Sequence, residues 1–215
     1  MSFFSNFNSD KCPCRITGNP FNGLCEKVCI EVHKVFDSCM KQSQEDGVTL
    51  VLENNVPASP AYPLTFISAR STSTRGTLSG VQIDRLADRP NFARVQVTVG
   101  VPVEVLYTDA NGVEGKADST ATFTEDVILF VPEPSVIPYS VEAVVSFIST
   151  EGTYTAENTF TVTCCVTIIL KIVMPVELLV PTYGYCNIPP CHEYAQEVCA
   201  GFFELPLFPD NNGNP

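Results

Sequence analysis

Two rhythms of apolar residues divide the chain. From residue 19 or 22 to about residue 41, Leu24, Val28, Val32, Val35, Phe36 and Cys39 recur at three- and four-residue spacings, which predicts a helix with one apolar stripe. Asn19-Pro20 offers a capping residue followed by a proline suited to a first turn. From Val48 onward the period shortens to two. Alternation predicts strands over residues 48–53, 65–71, 77–86, 92–107, 120–131, 139–150 and 153–180. Asp109-Ala110-Asn111-Gly112 predicts a tight turn, with Asn-Gly favouring positive φ at the corner. Glu151-Gly152 predicts a second hairpin turn ahead of a very long return strand. About seven or eight strands at this spacing imply an all-β fold, an antiparallel β-sandwich preceded by a helical, cysteine-rich arm.

The return strand carries the most information. Phe160, Val162, Cys164, Val166, Ile168, Leu170, Ile172 and Met174 share one face, and Thr161, Thr163, Cys165, Thr167, Ile169, Lys171 and Val173 the other. Cys164 is thus expected to point into the core and Cys165 outward, a placement poor for bridging each other. Residues 160–180 are apolar enough to resemble a membrane span. Their period of two, with Lys171, Pro175 and Glu177, predicts a strand instead.

Cysteine usage divides the 215 residues into three regions: a cysteine-rich N-terminal arm (1–44), a β domain (45–183) and a cysteine-rich C-terminal tail (184–215). Cys12, Cys14, Cys25, Cys29 and Cys39 lie in the first, Cys164 and Cys165 in the second, and Cys186, Cys191 and Cys199 in the third. All ten are disulfide candidates. Five fall in the arm and five in or after the last strand, so each group is odd. Complete oxidation then requires a link between the groups, within one chain or between chains. Such a load implies an oxidising setting or metal coordination, yet the first residues, Met1 to Phe7, show no basic region followed by an apolar run. Synthesis in the cytosol followed by later oxidation is the expectation. Cys12, Cys14 and Cys165, on an arm or an outward face, are the preferred intermolecular partners.

Charge narrows the partners. The net −12 is distributed as +1 over residues 1–44, −9 over 45–183 and −4 over 184–215. No basic stripe is available for nucleic acid or an anionic membrane. Only 17% of residues are charged, against about 25% in ordinary soluble domains, a composition that tolerates close association with further copies of the chain.

The run from Val97 to Asp109, VTVGVPVEVLYTD, followed by Ala121-Thr122-Phe123-Thr124-Glu125-Asp126-Val127, resembles the SPOCS domain of clostridial spore-coat and exosporium proteins. The opening Lys11-Cys12-Pro13-Cys14-Arg15-Ile16-Thr17-Gly18-Asn19-Pro20-Phe21, with Cys25 and Cys29, is similar to the head of cysteine-rich clostridial spore-surface proteins. The resemblance implies a protein made in the mother-cell cytoplasm without a signal peptide, deposited on the spore surface and cross-linked there. Its partners would be further copies of itself and other spore-coat proteins.

Other chemistries are weaker. Cys25, Cys29 and His33, one helical turn apart, could share a metal with Cys191 or His192, but no paired Cys-x-x-Cys knuckle accompanies them. Asp109, Asn111 and Glu114 could hold calcium, although the turn itself calls for these residue types. Glu125-Asp126 and Asp84/Asp88 read as solvated faces. No Gly-x-Ser-x-Gly turn, phosphate loop or Cys-x-x-Cys redox motif occurs. The expectation is a non-enzyme without catalytic residues, cofactor or metal: a self-assembling structural protein joined by intermolecular disulfides. The alternative is a monomeric coat-binding or morphogenetic adaptor with intrachain disulfides only. The apolar ends, with Phe3, Phe4 and Phe7 at one and Phe202, Phe203 and Phe208 at the other, could dock on a neighbour's sheet edge.

Overall fold

The computed structural model describes residues 26–156 and 158–183. Two compact units are distinguished, Glu31–Val176 and a smaller one of Met1–Ile30 with Glu177–Pro215. The described residues form one antiparallel eight-stranded sheet: β1 (Glu26–Val51), β2 (Glu53–Val56), β3 (Thr65–Ser71), β4 (Thr77–Arg85), β5 (Phe92–Thr108), β6 (Glu114–Phe130), β7 (Ser140–Ala156) and β8 (Thr159–Thr182). Their order is β1-β8-β7-β3-β5-β6-β2, with β4 also paired to β5.

β5 is the spine of the larger unit. Its odd-numbered residues Ala93, Val95, Val97, Val99, Val101, Val103, Val105 and Tyr107 are all buried, the outcome expected of valines alternating on a pleated strand. β6 pairs with it residue for residue, from Phe92↔Phe130 to Thr108↔Glu114. The other side of β5 is shared end to end by β4 and β3. β3 then meets β7 through Ala69↔Ser149 and Arg70↔Ile148, and the segment after it continues the contact: Val145 N donates to Thr74 O and Gly76 N to Ala143 O. At Gly76 a Cβ would come within 2.8 Å of Val145 and 3.2 Å of Val99, so the missing side chain permits this close approach. Phe123 of β6 and Phe147 of β7 are not sheet neighbours, yet their rings lie 6.4 Å apart. The sheet therefore folds over, and its inner faces meet in a single core.

Three expectations are corrected. The N-terminal helix is absent among the described residues, since Glu26 to Lys41 belong to β1; residues 19–25 lie outside them. The apparent helical stripe has a strand origin. Val28, Val32 and Phe36 are half-buried, the inward face switches at Phe36 and Asp37, and Cys39, Ser43 and Glu45 follow on the opposite parity. Near Gly47, at φ 75, parity switches back to Val48 and Leu50. The first switch turns a period of two into the 28-32-36-39 spacing of a helix. Second, Glu151 and Gly152 are not a turn but lie within β7, after a register shift between Ile148 and Glu151. A Cβ on Gly152 would fall 2.8 Å from the Phe66 ring, so this glycine marks a close approach, and the chain reverses near Asn158 at φ 52. Third, the compositional boundary at 44/45 falls inside β1.

Candidate functional site

Thiols and strand edges are the chemically distinctive features. On β8, alternation places Cys164 and Cys165 on opposite faces as expected: Cys164 is 1% exposed, and Cys165 is exposed. Burial, opposed in part by a hydrogen bond to the Glu45 backbone, pushes the Cys164 thiol up to about 11. It therefore stays protonated and inert at neutral pH. Cys39 is half-buried, and its thiol is raised by burial as well. In the smaller unit, Cys29 is exposed and its Sγ donates to Glu177 Oε2 at 3.9 Å. These four stand as free thiols. Cys12, Cys14, Cys25, Cys186, Cys191 and Cys199 lie outside the described residues.

Cys165 sits in a shallow depression of about 240 Å³ with Gln44, Ile148 and Thr163 among its walls. Ile148, its partner on β7, is 56% exposed. The cross-strand row continues to Arg70 and then Glu104. Glu104 takes ion pairs from Arg70 at 3.4 Å and Lys116 at 3.2 Å. The outer face thus offers a thiol beside an apolar side chain, bordered by a carboxylate that two cations share.

The second feature is a groove of about 670 Å³ between β1 and β6, lined by Lys41, Glu45, Asp46, Val48, Phe123 and Glu125 among others. Side chains hold the two strands together around it. Asp37 accepts from Phe130 N at 2.7 Å, Lys41 Nζ pairs with Glu125 at 3.1 Å, and Ser119 Oγ donates to Val51 O at 2.8 Å. Glu125, expected on a solvated face, is 4% exposed. It shares the inward parity of Ala117, Ser119 and Ala121, and that parity was the signal in the sequence. Asp126 does face outward, in a two-point pair with Arg94 that holds its carboxyl below the usual range.

The remaining candidates are less productive. Asp109 Oδ1 accepts from Asn111 N and Val113 N at 2.8 Å, and Oδ2 accepts from Ala61 N at 3.2 Å. Its carboxylate is occupied by the turn on one oxygen and by the Ala61 backbone on the other. His33 lies 3.5 Å from Glu142, and with Cys29 and His33 both on the extended β1 their one-turn helical spacing is lost; Cys25 lies outside the described residues. Among the described residues no group of three or more His, Cys, Asp or Glu is placed to hold a metal, and no helix is long and apolar enough to cross a membrane. Comparison with protein families, characterised proteins and solved structures finds no match to this chain.

Proposed function

We propose that the chain is a structural, self-assembling protein of the bacterial spore surface, in the exosporium, the coat or a spore appendage, whose copies are joined by intermolecular disulfides. Within this reading the folded-over sheet acts as a β-sandwich block and the cysteine-rich ends bridge to neighbours. The observation that carries it is the contrast on β8, where one thiol is buried and inert while the next is exposed beside Ile148. The spore assignment draws on the resemblance of the strand run and the cysteine head. Each bond would add about 2–4 kcal/mol of constraint, and many in series make a layer kinetically durable.

The test is electrophoresis of the recombinant chain, boiled in detergent with and without reductant, beside negative-stain microscopy. A high-mass ladder that collapses on reduction, with regular sheets, tubes or fibres on the grid, is the expected result; Cys165→Ser shortens the ladder. A lone monomer band in both lanes with nothing regular on the grid overturns the proposal and favours the monomeric adaptor.

A further inference from the structure

Among the described residues, the seam between β1 and β6 has unpaired strand backbone on one side. Phe130 N points across it to Asp37, and β6 follows β5 without a register shift from 114 to 130. In a strand, N–H and C=O of alternate residues point to the same side. The even-numbered residues of β6 therefore direct their backbone at the seam, and the odd ones at β5. Lys116 and Asp118 use that edge to pair with β2. Beyond them Thr120, Thr122, Thr124, Asp126 and Ile128 have no strand partner there among the described residues. β1 forms the opposite wall as the other end strand of the sheet.

Resting on the self-assembly reading above, we infer that this seam receives residues 2–9 of a second copy as an added strand. Three observations select that occupant. A strand between β1 and β6 needs its N–H groups on both sides, so proline is excluded. Residues 2–9 contain none, whereas the apolar segment 202–215 contains Pro206, Pro209 and Pro215. Charge agrees: Glu45, Asp46 and Glu125 against Lys41 give the groove −2, while Asp10, Lys11 and Arg15 give the chain beside the donor +1, and Glu204 and Asp210 give 202–215 −2. Finally, half-buried Val48 and Phe123 line the groove, apolar ground for Phe3 and Phe7, which fall on one face of an extended donor. Asp37 reaches Phe130 and Lys41 reaches Glu125, so β1 and β6 run in opposite directions. A donor antiparallel to β6 runs parallel to β1, and the β6 edge supplies the main ladder.

The test uses the full chain in reductant, so that disulfides cannot contribute. Thr122→Pro removes a seam-facing N–H and leaves the β5 ladder intact; Asn6→Pro spoils the donor. Circular dichroism and thermal melts confirm that both remain folded, and Thr122→Val serves as a conservative control if the proline variant does not fold. Each proline variant alone is expected to lower the sedimenting polymer fraction by about tenfold or more. An equimolar mixture should give a one-to-one pair and nothing longer, because one partner keeps a sound donor and the other a sound seam. Wild-type polymers matched by both variants overturn the seam inference while leaving self-assembly standing, and absence of wild-type assembly with or without reductant overturns both. Amide protection of Thr120–Ile128 that is independent of concentration places the chain's own segment in the seam and overturns the second-copy assignment.

Discussion

Tyr107 is fully buried and its hydroxyl has no hydrogen-bond partner among the described residues, an uncompensated polar group in the core. Its ring stands against Gly115, where a Cβ would come within 2.6 Å. Tyr107→Phe should be within about 1 kcal/mol of neutral in chemical denaturation, on the stabilising side. Gly115→Ala should cost about 1–3 kcal/mol through overpacking, and a neutral result there would refute the contact. Thiol accessibility gives a second check. With native protein at neutral pH, a maleimide should label Cys165 quickly and Cys164 only in denaturant, as its burial and raised titration require; equal rates at the two sites would contradict the face assignment.

Among the elements, the β5–β6 turn and the β1–β6 seam each depend on a carboxylate. The Asp109 carboxyl is held below its ordinary range first by Val113 N–H and then by those of Ala61 and Asn111. Because the folded value lies below the unfolded one, its stabilisation is present above the unfolded value near pH 4 and is lost as pH falls through the folded value. Asp109→Asn should flatten the acid limb of the stability profile, and an unchanged limb would count against the assignment. At the seam, Lys41→Met strands the buried Glu125 and should cost about 1.5–3 kcal/mol, with Lys41→Met/Glu125→Met recovering most of it; failure to recover would mean the pair is not the relevant contact. The strands from β3 onward were legible because their inward residues keep one parity over long runs, as Ala93 to Tyr107 do. β1 was not legible, since two parity switches erase its period, and Gly152 misled because a close ring contact and a turn both call for glycine. The outward thiol could be read from one strand, whereas the seam depends on how strands distant in sequence come together.

For the molecule as a whole, net charge −12 opposes association of identical copies. Raising salt from 0.01 to 0.15 M shortens the screening length from about 30 to about 8 Å. If copies assemble as proposed, turbidity or light scattering should show nucleation faster by about an order of magnitude at the higher salt. Slower nucleation would indicate attraction between opposite charges as the driving contact. The strand order has a mechanical consequence. β1 and β8 are antiparallel neighbours, so Glu31 and Val176, where the chain enters and leaves the larger unit, lie at the same end of one ladder. Tension applied through both ends peels that ladder open one bond at a time, a weak mode of resistance. Traction entering at Glu31 on β1 and leaving through Cys165 on the body of β8 must instead shear many ladder bonds together, so the placement of a cross-link would decide whether this block tears like a zipper or holds like a lap joint.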